Sequence, residues 1–222
     1  DALSGSDPRP RDLLSRVIYG ARICSRLGGR ASLISVAIGV TAGAVSGFFG
    51  GWVDTVISRF VDIFLSIPYI VLAVSMAAEL GRSENTVIIV LGLTGWLAIQ
   101  RVVRSSVLQL KELEFVGAAT ALGFGRWRIM VRHILPNALQ PVIVYSAIAV
   151  GSAILSEAAL SFLGAGPVDP RPAWGLMVFT AKDRLQAAPY ELLFPAVAIV
   201  ITVLVFRLIG RGLQDAFDPK LK

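Results

Sequence analysis

The side chains able to do chemistry are few and do not cluster. Cys24 is the only cysteine and His133 the only histidine, so neither an internal disulfide nor a histidine metal cluster can form. Glu157 is different, because it is an acidic residue deep in an apolar run, where charges are functional candidates by default. It could line a pathway and meet an amine or a metal cation, or it could hydrogen-bond a neighbouring helix. We predict no catalytic residue and no metal ligand.

A second pattern suits docking rather than catalysis, and it covers about residues 112–137. An alanine-rich stretch, Phe115–Leu122, predicts a short helix. Gly123 and Gly125 permit the backbone reversal that follows, because glycine lacks a Cβ. Trp127–Ile134 predicts a second short helix, which we expect Pro136 to end before the next apolar span begins. A compact helical hairpin of this kind is suited to docking on another protein.

A third pattern is a row of glycines at four-residue spacing: Gly39, Gly43 and Gly47. This spacing places them on one face of a helix, where a second helix can approach closely. We expect packing within this chain rather than subunit dimerisation.

The composition indicates that these elements lie in a membrane. The chain is 55% hydrophobic and 16% charged, with a mean hydropathy of +0.72. Soluble domains are about 45–50% apolar and about 25% charged. A net charge of +6 could suggest nucleic-acid binding, but the basic residues here punctuate apolar spans, which is typical of membrane orientation. We therefore exclude nucleic acid as a partner.

Five segments approach the roughly 20 apolar residues that a membrane-spanning helix needs. Helices are favoured because backbone in lipid must satisfy its own hydrogen bonds. The fold class is therefore all-α, a polytopic membrane protein. The spans are about Ala31–Phe49, Ile57–Leu80, Thr86–Val103, Leu139–Leu163 and Leu192–Ile209, with expected kinks at Pro68, Pro141 and Pro195.

The distribution of basic residues predicts the sidedness. The hairpin and the tail 213–222 are expected in the cytoplasm, because cytoplasmic loops are enriched in Lys and Arg. The proline-rich loop 164–190 then lies outside. The arginine-rich segment 1–26 also falls outside by span count, against the same rule. We interpret it as an interfacial amphipathic helix, with the orientation fixed by an upstream span. Within the second span, Arg59 and Asp62 are spaced to pair with each other.

The hairpin resembles the cytoplasmic signature of ABC importer permeases, E-A-A-x3-G followed by a hydrophobic residue and Leu-Pro. The signature's glutamate position holds Gly117 in this chain. The resemblance implies that the hairpin couples the chain to an ATPase. The residues assigned to this coupling are Phe115, Gly117, Ala118, Ala119, Gly123, Arg126, Arg128, Leu135 and Pro136.

Flanking blocks resemble the second permease subunit of the dipeptide/oligopeptide/nickel group. They cover nearly the whole chain: Asp12–Arg22, Phe49–Asp54, Leu160–Gly164, Pro172–Gly175 and Gly212–Pro219. Members of this group normally have one further N-terminal span, which we expect to be missing here. The resemblance implies a type I ABC importer transmembrane domain over about residues 27–212, in the inner or plasma membrane.

The same resemblance implies the partners. These are membrane lipid, the first permease subunit as a heterodimer partner, an extracytoplasmic substrate-binding protein and two ATPase subunits that hold ATP and Mg. The chain has no G-x4-G-K-[ST] loop, so it should bind no cofactor itself and is not an enzyme. The implied cargo is di- or oligopeptides, with nickel or a metal chelate as the alternative. A secondary transporter is less favoured because no inverted repeat is evident.

Overall fold

The computed structural model describes residues 10–167 and 172–217, and these form helices joined by short turns. Within these described residues, four helices are long and apolar enough to cross a membrane, and a bent pair of helices adds a fifth candidate. A π turn, Met130–Ile134, joins the sixth and seventh helices. The helices are α1 (Pro10–Phe49), α2 (Gly51–Ser66), α3 (Tyr69–Leu80), α4 (Glu84–Lys111), α5 (Glu114–Ala121), α6 (Arg126–Ile129), α7 (Leu135–Phe162), α8 (Trp174–Ala181) and α9 (Pro189–Phe217).

Helices α1 and α4 pack closely against each other, and the row of glycines in α1 lies in the contact between them. We call this contact the glycine seam: Gly39, Gly43 and Gly47 against Ile99, Val103 and Val107. A Cβ added at Gly43 would lie 2.7 Å from the Val103 Cβ atom and 2.8 Å from the Gln100 carbonyl oxygen. The paired residue numbers rise together, so the two helices are parallel. The close approach expected from the spacing is therefore made within this chain.

The other two long helices, α7 and α9, run in opposite directions to each other. Cys24 and Gly28 of α1 lie beside Glu157 and Ile154 of α7, while the opposite ends of these helices share one core cluster, so α7 is antiparallel to α1. Gly210 of α9 packs on Ile148, and Gly151 packs on Phe206, so α9 is antiparallel to α7. The C-terminal ends of α1, α4 and α9 therefore lie together with α5 and α6. We call this the hairpin end and the opposite side the far end.

The second predicted span is not one helix. The chain breaks between α2 and α3, whose axes differ by 89°. Ile67, which precedes Pro68, has extended backbone (φ −88°, ψ 130°), as proline favours in the residue before it. The kink expected at Pro68 is thus a full break, whereas Pro141 and Pro195 lie inside continuous helices.

The predicted end of the hairpin's second helix at Pro136 is also wrong. Residues Arg126–Phe162 run on as a single candidate span of 37 residues. The π turn precedes the proline, and in it the Leu135 N–H donates to the Met130 carbonyl. Proline lacks an N–H, and its ring clashes with the carbonyl four residues back in a regular helical turn. The wider π turn shifts the hydrogen-bond register just before Pro136, so the helix can continue through the proline.

The N-terminal boundary differs as well. We expected a separate interfacial segment, 1–26, but α1 passes through this boundary without a break. Cys24, Leu27 and Ala31 are all buried and share one helix face, so the same packing stripe continues across it. At the other terminus, α9 extends to Phe217, inside the predicted tail 213–222. Residues 1–9, 168–171 and 218–222, which belong to three predicted segments, lie outside the described residues.

Candidate coupling hairpin and pathway

The hairpin is anchored in the protein by one buried face. Val116 and Ala119 of α5 and Ile129 of α6 are 6%, 5% and 3% exposed. They belong to a core cluster that includes Phe48 of α1 and Val107 of α4. Burying apolar side chains is worth about 25 cal/mol per Å² of area removed from water. The hairpin is therefore packed onto the C-terminal ends of the two seam helices.

A glycine-dependent cap closes the first helix of the hairpin. Gly123 has a φ of +78°, in the left-handed region that residues with a Cβ avoid. The Phe124 N–H donates to the Ala119 carbonyl at 3.2 Å, and the Gly123 N–H donates to the Thr120 carbonyl at 3.0 Å. These two bonds define a Schellman motif. The backbone reversal predicted at this glycine is present in that form.

The opposite face of the hairpin is open. Phe115, Gly117 and Ala118 are all exposed, and a Cβ added at Gly117 would have nothing within 4 Å. Gly123 and Pro136 are exposed too. The result is a surface of small residues with one aromatic ring at its edge, on which another protein could approach the backbone closely.

Two predicted coupling residues are not on this open face. Ala119 is buried, and Leu135 is partly buried against the same core cluster. The helical period explains the difference for α5, because Ala118 and Ala119 are adjacent and so project in different directions. In this conformation Ala119 and Leu135 anchor the hairpin rather than form its open face, and their assignment to ATPase coupling stays a prediction.

The two hairpin arginines are held against aromatic rings. The Arg126 guanidinium lies 5.1 Å from the centre of the Phe49 ring, and that of Arg128 lies 4.6 Å from the centre of the Phe124 ring. Such cation–π contacts contribute about 0.5–1 kcal/mol at exposed sites. Within the described part of the chain, neither arginine has a carboxylate partner. Both side chains remain exposed, so they add positive charge to the hairpin surface.

Ion pairs join α2 to α4 near the hairpin end. Arg104 donates to both carboxylate oxygens of Asp54, with distances of 2.5 and 2.6 Å. Arg101 donates to Asp62 at 2.8 Å, so the predicted pairing of Asp62 with Arg59 is wrong. A planar guanidinium matches a carboxylate bidentately, which favours the Asp54 contact. The sequence marked Asp54 only as part of a motif, and its arginine partner was missed.

Glu157 lies at the far end, away from the hairpin residues. Its side chain is 1% exposed and accepts a hydrogen bond from the Ser161 hydroxyl at 2.7 Å. The Cys24 thiol of α1 lies 3.9 Å from its other carboxylate oxygen. In this conformation the carboxylate is enclosed within the chain, which favours the alternative of a bond to a neighbouring helix. A pathway role for Glu157 stays a prediction.

The far end is also ordered by Trp174 of α8. Its indole N–H donates to the Val17 carbonyl at 2.8 Å, and its backbone N–H donates to the Cys24 sulfur at 3.5 Å. These bonds fasten part of the predicted outer loop to α1. The neighbouring Gly175 packs closely on α7, since a Cβ at this position would lie 2.6 Å from the Cα atom of Ala158. The Trp174 bonds and this close contact together account for the Trp-Gly pair in the Pro172–Gly175 block.

A cavity of about 270 Å³ lies between α1, α3, α4 and α7. Hydroxyl side chains from all four helices line it: Ser32, Tyr69, Thr94, Tyr145, Ser152 and Ser156. We call it the hydroxyl cavity. Its signal in the sequence is a pair of serines three or four residues apart in an apolar helix, as at Ser32 and Ser35 and at Ser152 and Ser156.

Comparison with known proteins gives one consistent answer. Residues 39–222 match the family described as binding-protein-dependent transport system inner membrane component. The dipeptide transport system permease protein DppC of Alkalihalophilus pseudofirmus is 43% identical over 98% of this chain and 72% of its own length. The oligopeptide transport system permease protein OppC of Haemophilus influenzae is 39% identical, over 97% and 70% respectively.

Solved structures agree on the fold. The chain resembles the inward-facing MetNI methionine ABC transporter with a TM-score of 0.77 and 20% identity, covering 96% of this chain and 100% of that one. An amino acid ABC transporter gives a TM-score of 0.66 at 16% identity, over 93% and 94%. The helical fold of the described residues, the hairpin and these matches lead to one conclusion. The chain belongs to the binding-protein-dependent transport system inner membrane component family, the permease subunits of ABC importers.

Proposed function

We propose that this chain is the second permease subunit of an importer for di- and oligopeptides, and that its hairpin docks on an ATPase subunit. The observation that carries the proposal is the two-sided hairpin. One face is buried against α1 and α4, and the other presents Gly117 and Ala118 with open space around them. A part that is both anchored and accessible can pass a displacement of its partner into the spans.

The partners follow from the chemistry that this chain lacks. ATP and Mg would be held by two ATPase subunits, because the sequence contains no phosphate-binding loop. A first permease subunit would complete the pathway as a heterodimer, and an extracytoplasmic binding protein would deliver cargo at the far end. The chain itself would bind no cofactor and catalyse no reaction. Binding of ATP would bias a two-state packing of the spans.

The sidedness that we propose puts the hairpin end in the cytoplasm. The C-terminal end of α9 lies at the same end, so the tail 213–222 would be cytoplasmic as well. Lys111, Arg126, Arg128 and Arg211 add positive charge there, in accord with the orientation rule for membrane proteins. Loop 164–190 and the N-terminal part of α1 would face outward, and helices α1 to α9 would together form the permease domain.

The cargo class rests on the relatives. Those named above are permeases for dipeptides and oligopeptides, and a glutathione transport system permease protein of Escherichia coli is 40% identical over 98% of this chain. Glutathione is itself a small peptide. These names favour peptides over the nickel alternative.

Reconstitution in lipid vesicles tests the proposal. We expect the complete complex to import labelled peptide only with ATP, and vesicles without the ATPase subunits to import none. Within the complex, Ala118→Trp should lower transport at least tenfold, because a bulky ring blocks close approach at the docking face. Ala118→Ser, which keeps a small side chain, is the matched control and should transport normally. Peptide uptake that persists without any ATPase would overturn the proposed function.

A further inference from the structure

The hydroxyl cavity has a mostly apolar wall into which uncharged hydroxyl side chains from several helices are set. Ser32 comes from α1, Tyr69 from α3, Thr94 from α4, and Ser152 and Ser156 from α7. None of the described residues that line it carries a carboxylate, an ammonium or a guanidinium group. Tyr69 is 38% exposed and Ser152 is exposed, so the cavity opens to the surface of the chain on that side. Thr94 and Ser32 are buried and form its inner wall.

One hydroxyl in this wall is an orphan. The Ser32 Oγ atom has no hydrogen-bond partner among the residues that the structure describes, and the side chain is only 5% exposed. Serine and threonine inside helices can donate to the carbonyl four residues back. Ser75, Ser106 and Ser146 all do so here, at 2.9, 3.0 and 2.6 Å. Leaving a buried polar group unpaired costs about 1–3 kcal/mol, so a group from outside the chain should satisfy it at some stage.

The other hydroxyls keep free capacity. Ser35 donates to the Gly92 carbonyl at 3.0 Å, and Thr94 donates to the Val90 carbonyl at 2.7 Å. Tyr69 and Ser156 also line the cavity. Each hydroxyl has one donor and two acceptor sites, so a hydroxyl that donates within the chain can still accept a bond from a ligand.

We propose that the hydroxyl cavity is a contact site for the backbone amide groups of the transported peptide; this proposal rests on the proposed function. A peptide backbone offers N–H donors and C=O acceptors at each residue, and hydroxyls match both. A wall without formal charge discriminates little between acidic, basic and neutral cargo side chains. Because ligand pockets run from about 300 to 1,000 Å³, a cavity of about 270 Å³ receives part of a peptide rather than all of it.

The first test fills the cavity. In the complete reconstituted importer, Ser156→Leu should lower ATP-dependent uptake of neutral, lysine-containing and glutamate-containing tripeptides by a similar factor, about fivefold or more. Ser146→Leu is the matched control, because Ser146 is on the same helix but does not line the cavity. Copurification of the assembled complex shows that each variant is folded. Unchanged uptake in Ser156→Leu, or a loss confined to one charge class, would overturn the proposal.

The second test changes the ligand and makes only a conservative substitution. A tripeptide series methylated at one backbone nitrogen at a time is compared in the wild type and in Ser32→Ala, with the same binding protein. Methylation at the backbone nitrogen that contacts Ser32 should lower uptake by the wild type. In Ser32→Ala the same methylation should lower uptake by a factor about fivefold smaller, because this variant has no hydroxyl with which that N–H could bond. If, for every peptide in the series, the effect of methylation on uptake differs by less than twofold between the wild type and Ser32→Ala, the cavity does not bind the peptide backbone and the proposal is overturned. If the wild type imports no peptide with ATP, the proposed function fails instead.

Discussion

The glycine seam and the coupling hairpin both depend on glycine, but for opposite reasons. In the seam, a Cβ at Gly39, Gly43 or Gly47 would lie 2.7–3.0 Å from atoms of α4. In the hairpin, a Cβ at Gly117 or Gly123 would meet nothing within 4 Å. The seam uses glycine to bring two helices together. The hairpin uses it to reverse the backbone and to leave a surface open.

This difference indicates that the two regions have separate roles: the seam joins α1 to α4, and the hairpin offers a surface for docking. The seam is close-packed, because a Cβ added at any of its glycines would meet a backbone carbonyl of α4 as well as a side chain. The hairpin is packed on the C-terminal end of the seam through Val116 and Ile129. A displacement applied to the open face would therefore move α1 and α4 together.

The largest effect should come from filling the seam. Gly43→Ala places a methyl group 2.8 Å from the Gln100 carbonyl, a backbone atom that cannot shift cheaply. Overpacking costs about 1–3 kcal/mol, and we expect the upper part of this range in the free energy of unfolding, measured by denaturation in detergent micelles. Gly29→Ala is the control, because it lies in the same helix with nothing within 4 Å. A stable Gly43→Ala variant would show that the seam is not close-packed.

A smaller effect is expected at the hairpin turn. Gly123→Ala keeps open space but places a Cβ at a φ of +78°, which costs about 1–2 kcal/mol. Hydrogen exchange should become faster at the Phe124 amide, whose bond to Ala119 closes the cap. Gly125→Ala is matched in exposure but has a φ of −62°, so it should change little. Equal exchange in both variants would contradict the role of the left-handed conformation.

The smallest effect should have the opposite sign. Gly117 is a helical position with free space around it, so Gly117→Ala should stabilise α5 by about 0.5–1 kcal/mol. Slower hydrogen exchange of the α5 amides would report this gain. Faster exchange would mean that Gly117 is packed against something, and the contrast with the seam would be lost.

Several features could be predicted because they depend on local spacing. The four-residue glycine row and the left-handed turn at Gly123 belong to this class. The partner of the row was not predictable from the row alone, although Ile99, Val103 and Val107 repeat every four residues on α4, as a ridge facing a groove should.

Features set by competition between helices could not be predicted. Asp62 has Arg59 one turn away but pairs with Arg101 of α4, because a tertiary contact prevails over the local one. Nothing in the sequence around Pro136 indicates the π turn that allows the helix to continue through this proline. The break at Pro68 was expected as a kink, and the orientation of Tyr69 toward the hydroxyl cavity follows only from packing on α4 and α7.

The most direct test of the account is photo-crosslinking in the assembled importer. Benzoylphenylalanine is incorporated in place of Phe115, an exposed aromatic residue at the edge of the open hairpin face, and separately at Leu185, which is 50% exposed at the far end. We predict an adduct with an ATPase subunit from position 115 and none from position 185. An ATPase adduct from position 185, with none from 115, would contradict the claim that the hairpin is where this permease meets its ATPase.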